Sequence, residues 1–134
     1  MERRRAGAKP GKPKPWKATE RQLQRAILQA CDNFLIPEAI VFHAAQNRLT
    51  EREGKFWKAL GVVPGVPDLI FYLPRGVTLG MEIKTPEGRL SPAQRLFHEK
   101  LKAIEHNIYV VRSVDEALKV LGWFDALKRK VEVA

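Results

Sequence analysis

Cysteine is almost absent from this chain of 134 residues: Cys31 stands alone. A single thiol excludes an internal disulfide framework and any Cys/His cluster of the kind that holds structural zinc, and it suits a reducing compartment. Long apolar runs are missing too. No stretch approaches the roughly 20 residues that span a bilayer, and the basic N-terminus is not followed by the apolar core of a secretory signal. Acidic residues are the minority, 15 against 24 Lys and Arg, leaving a net charge of +9. These shortages leave a soluble, cytoplasmic, basic protein whose fold rests on an ordinary hydrophobic core.

What is present divides unevenly. Residues 1–17 hold seven basic residues against Glu2 alone, whereas the rest of the chain carries 17 basic and 14 acidic. Pro10, Pro13 and Pro15, with Gly7 and Gly11, interrupt regular structure there. The chain therefore reads as a basic, disordered arm over 1–17 and one domain over 18–134, long enough to build its own core. Lys12, Lys14 and Lys17 are placed to grip phosphates by displacing condensed counterions, which gives salt-sensitive, sequence-independent affinity. A solubilising tail is the competing account.

Beyond the arm, helical and strand patterns alternate. Thr19 with Gln22 spells a capping box, and Leu23, Ala26, Ile27, Ala30, Cys31 and Phe34 mark one helical face. Residues 39–45 read as a strand running into polar Gln46, Asn47 and Arg48, and Thr50 with Glu53 suits the cap of a short helix through Leu60. Ser91, Pro92 and Gln94 open another helix whose buried face is Ala93, Phe97, Leu101 and Ile104. Residues 108–111 form a buried strand, and Ser113 with Glu116 starts the last helix. A strand that follows such a helix usually returns parallel to an earlier one. The expected architecture is α/β, a mixed sheet flanked by helices in the order αβββαβα.

The chemistry concentrates in two short segments. Asp68 opens the apolar run Leu69–Leu73, and Val77–Lys84 alternates with period two, with Pro74-Arg75-Gly76 as the turn between them. A hairpin centred on Arg75 sets Asp68 opposite Glu82, their side-chain roots roughly 4.5–5.5 Å apart. Glu82 and Lys84 then share a face, and Met81 and Ile83 point to the other. Two carboxylates at that distance repel, so that one takes up a proton unless a cation relieves them. Mg2+ is typically held by one or two carboxylates, waters and substrate phosphate oxygens, which is the ligation this hairpin offers. Lys84 beside the pair could serve an attacking water or the charge on a phosphate. An ion pair on a strand face is the plain alternative.

Gly65-Val66-Pro67-Asp68-Leu69, Glu82-Ile83-Lys84 and Leu90-Ser91-Pro92-Ala93-Gln94 together resemble the PD-(D/E)xK nuclease superfamily, in its virus-type replication-repair nuclease (VRR-NUC) branch, over roughly residues 18–122. The resemblance implies a restriction-endonuclease-like fold and a Mg2+- or Mn2+-dependent endonuclease leaving 5′-phosphate and 3′-hydroxyl ends. It implies that Asp68 and Glu82 bind the metal, that the carbonyl of Ile83 adds a ligand, and that Lys84 serves the water. Glu20, in the first helical turn, takes a catalytic or water-mediated metal role by the same resemblance, although a glutamate there also complements the helix dipole. Gln94 is expected to touch Lys84 or the scissile phosphate, although its capping box is a sufficient structural reason for it. The cellular setting implied is the cytoplasm of a bacterium or a phage-infected host.

Substrate is read from what surrounds the site. Asn47 and Arg48 in their loop, and Arg89 and Arg95 around a helix start, are candidate DNA contacts, with solvated surface charge as the rival account. No zinc finger or helix-turn-helix supplies base readout, which fits recognition of DNA shape through the backbone. Small stand-alone members of this branch resemble Holliday-junction resolvases, in which a homodimer makes paired cuts. A flap or nicking nuclease of viral replication or repair, and a catalytically silent DNA-binding module, are the alternatives.

Overall fold

The computed structural model describes residues 11, 17–44 and 51–129, the side chains of residues 51 and 52 excepted. Lys12, Lys14, Asn47, Arg48 and the Thr50 cap lie outside the described residues. The elements in order are α1 (Glu20–Phe34), β1 (Ile40–His43), α2 (Glu51–Ala59), β2 (Leu69–Leu73), a 3-10 turn (Pro74–Gly76), β3 (Val77–Ile83), α3 (Pro92–Ala103), β4 (Asn107–Val111) and α4 (Val114–Trp123). The strand anticipated over 39–45 is the shorter β1, and no described helix is long and apolar enough to cross a membrane.

Local chemistry sets the helix starts. At α1 the Thr19 hydroxyl accepts from the Gln22 N–H at 3.2 Å, and the Gln22 side chain accepts from the Thr19 N–H at 2.9 Å. Ser91 and Gln94 repeat this reciprocal box at α3, with Pro92 at the first helical position. At α4 the Ser113 hydroxyl accepts from the Glu116 N–H, but the Glu116 carboxylate turns back to accept from the Arg112 N–H at 2.7 Å.

The sheet order is β1-β2-β3-β4, antiparallel across the first two pairs and parallel between β3 and β4, so α3 forms the crossover. Within the hairpin every pair from Leu69–Met81 to Leu73–Val77 is equidistant from Arg75. The turn works because Arg75 (φ 62) and Gly76 (φ 72) both adopt left-handed backbone. This register carries Asp68, one residue before β2, opposite Glu82.

Alternation sends Leu69, Phe71, Leu73, Leu79, Met81 and Ile83 into one core with Ile27, Cys31 and Leu35 from the α1 segment and Ala117, Val120 and Leu121 from α4. Glu82 therefore belongs to the opposite face, where α3 packs beside β4. Two expected core positions are corrected. Phe34 is exposed because α1 ends there, and Leu35, turned into extended backbone, takes the buried place. Ile104 is 66% exposed because it sits at the α3 C-cap, beyond the last regular turn, and the fully buried residue of α3 is His98.

Candidate active site

The acid pair is held from several directions. Asp68 ends its loop against the sheet, its Oδ2 accepting from the Ile83 N–H at 2.7 Å. Its main-chain carbonyl accepts from the Ala44 N–H at 3.2 Å and lies 2.7 Å from His43 Nδ1, which Gln24 of α1 also approaches at 3.2 Å. The preceding loop is seated by Gly65 (φ 86), which is buried so close to α3 that any Cβ would run into the carbonyl of Ala93. One loop thus fixes Asp68 and the start of the helix that faces it.

Glu82 is 1% exposed. Its Oε1 accepts from the Gln94 side-chain amide at 2.8 Å. Burial, followed by the charge of Asp68, pushes its pKa up to about 8; Glu20 adds to the rise, and Lys84 opposes it. Without a cation, burial and the Asp68 charge both favour the protonated form of Glu82.

Lys84 is buried with its ammonium 3.7 Å from Glu20 Oε1 and 4.0 Å from Glu82 Oε1. Glu20, at the first position of α1 and half exposed, therefore meets the acid pair through Lys84. Gln94 uses both ends of one amide: its oxygen accepts from the Ser91 N–H at 2.8 Å and its nitrogen donates to Glu82. Its side-chain partner across the site is thus Glu82. Arg89 and Arg95 are exposed on either side of the α3 start, and Lys17, at the root of the arm, pairs with Glu87 at 2.9 Å across open surface.

Sequence reasoning missed three contributors. Arg112 donates through Nη1 to the carbonyls of Thr85 (2.7 Å) and Gly88 (2.6 Å), with Pro86 at 3.4 Å, binding the turn after Lys84 to the end of β4. The His43 and Gln24 contact behind Asp68 joins β1 to α1. His98 is buried with Nε2 4.0 Å from Glu82 Oε2, and among the described residues neither atom has a hydrogen-bond partner; burial, then Lys102 and Lys84, lowers the His98 pKa. The spacing of Gln94 and His98, four residues apart on one helix, was the available signal.

The donor set fits a hard divalent cation that keeps much of its hydration. Among the described residues no group of three or more His, Cys, Asp or Glu forms a metal cage. Two apposed carboxylates, one with a bare buried oxygen, are what Mg2+ or Mn2+ completes with waters and phosphate oxygens. Ile83, whose carbonyl belongs to the implied ligand set, lies beside them with its N–H already engaged by Asp68.

The sequence matches a family described as VRR-NUC domain over residues 18–115. A solved structure described as a VRR_NUC domain protein is 23% identical and covers 80% of this chain and 88% of its own, with a TM-score of 0.67. A second, described as a VRR_NUC domain, is 22% identical and covers 78% and 97%, with a TM-score of 0.55. At these identities the likeness establishes the fold. No curated protein matches the chain by sequence.

Proposed function

This chain belongs to the VRR-NUC domain family, whose function is of nuclease type, and from that premise we propose a Mg2+- or Mn2+-dependent endonuclease that cuts branched DNA, four-way junctions first among them. The observation that carries the chemical reading is the buried Glu82 apposed to the half-buried Asp68, with Lys84 beside them.

Asp68 and Glu82 would hold the cation, with the Ile83 carbonyl as a further ligand and Glu20 acting through water. When bound, the cation supplies positive charge that acidifies a water and offsets charge on the phosphate. The chain's own groups do the rest. Gln94 keeps Glu82 in one orientation, and the Ile83 N–H does the same for Asp68. Glu20 and Glu82 bracket the Lys84 side chain, which would orient the attacking water or receive charge building on the phosphoryl oxygens. Arg89 and Arg95 on the surface beside α3, Asn47 and Arg48, and the arm with Lys12, Lys14 and Lys17 would carry backbone contacts to DNA.

Junction selectivity is supported by the excess of basic over acidic residues, which suits an electrostatic, shape-based contact with the DNA backbone. A homodimer would bring two such sites to symmetrical strands. The test is cleavage of a labelled four-way junction, a flap and a linear duplex in Mg2+ or Mn2+, beside Lys84→Ala. Paired symmetrical nicks with 5′-phosphate ends are expected, and the substitution should lower the rate by roughly 10²–10³-fold, the scale for removing one group that stabilises transition-state charge. Cutting of the flap alone would replace the junction reading with a flap or nicking nuclease. Cleavage of nothing in either metal would leave a silent DNA-binding module.

A further inference from the structure

The Gln94 amide engages only one oxygen of Glu82. One turn further along α3, on the same side of the helix, His98 brings Nε2 to 4.0 Å from the other, and both atoms are buried without a partner. We propose that His98 is a positioning residue that completes a two-point clamp on Glu82, its Nε2–H directed to Oε2 as the Gln94 amide is directed to Oε1.

Three observations carry this. First, the gap is too long for a hydrogen bond and too short for a water between the groups, whose two bonds would need about 4.5 Å or more, so a side-chain adjustment of about 1 Å closes it. Second, two orphaned buried polar atoms facing each other gain more by meeting than by staying apart, because neither can reach water. Third, a neutral imidazole can carry its proton on Nε2, and that tautomer would satisfy both buried atoms at once. Each Glu82 oxygen keeps a further lone pair, so the clamp orients the carboxylate without occupying it. Hydrogen bonds of this kind to metal-ligating carboxylates set ligand orientation and typically govern roughly 10–100-fold in metal affinity.

The inference rests on Glu82 being a metal ligand, and the test separates the two. Mn2+ is titrated into wild type, His98→Leu, His98→Gln and Asp68→Asn without DNA, free Mn2+ being followed by electron paramagnetic resonance and thermal melting recorded beside it. Expected are binding by wild type, loss in Asp68→Asn, binding roughly 10–100-fold weaker in His98→Leu without a lower melting temperature, and near wild-type binding in His98→Gln, which keeps a donor at that reach. Wild-type affinity in His98→Leu overturns the clamp while leaving the metal reading intact; no binding by wild type overturns the metal reading and the clamp with it. Should His98→Leu not fold, 15N NMR of the wild-type imidazole with Mg2+ bound decides: a protonated Nε2 is expected, and an unprotonated one overturns the proposal.

Discussion

Glu82 is a carboxyl group that the fold withdraws from water, and that has a consequence for stability. Its folded pKa of about 8 lies above its ordinary value of 4.5. The stability it contributes is therefore fully present below about 4.5 and is lost as pH rises through about 8. In the absence of divalent metal, the urea midpoint should fall between pH 5 and pH 9; Glu82→Gln should flatten that fall, and Mg2+ or Mn2+ should offset it in wild type. An equally steep decline in Glu82→Gln would assign the effect to other groups. At this scale Asp68, Glu82 and Lys84 were legible because strand alternation and hairpin register are local rules. His98 and Arg112 were not, because their partners lie on other elements: Glu82 on β3, and the carbonyls of Thr85 and Gly88 in the turn after it. Nothing near either residue in sequence names those partners.

At the scale of elements, α3 is the organiser. Its capping amide reaches Glu82, its interior histidine faces the same carboxylate, and its first turn receives Gly65. Gly65→Ala should be costly twice over. The backbone there has a φ of 86, and the new methyl would meet the Ala93 carbonyl, so the loop or the helix start must move. A loss of about 2 kcal/mol or more in denaturant unfolding is expected, together with a fall in cleavage rate, since the same displacement disturbs Gln94 and Asp68. Unchanged stability would show that the loop is not seated against the helix. The helix starts were readable from Thr19, Ser91 and Ser113, whereas the ends were not. Phe34 and Ile104 continue an apolar pattern past the point at which the backbone leaves the helix.

For the molecule as a whole, charge is the governing quantity. Deleting residues 1–16 removes six basic residues and one acidic one from a chain of net charge +9. If the arm grips phosphates, the truncated protein should bind DNA more weakly, and the slope of log K against log salt should drop by roughly one for each phosphate that the arm neutralises. Turnover at saturating DNA should be unchanged, because the acid pair and Lys84 remain. Matching salt slopes for the two proteins would assign the arm to solubility. Filter binding across a salt series, paired with single-turnover cleavage, measures both.

The sequence by itself determined what depends on neighbours along the chain: the caps of α1, α3 and α4, the turn at Pro74–Gly76, the register that sets Asp68 opposite Glu82, and the sharing of one face by Glu82 and Lys84. Only the tertiary structure decided which groups surround that pair. Burial raises the pKa of Glu82, α3 turns Gln94 toward it, and α1 brings Glu20 onto Lys84. The reason is physical: periodicity and capping act over a few residues, whereas desolvation and contact between separate elements exist only after the chain has closed around its core.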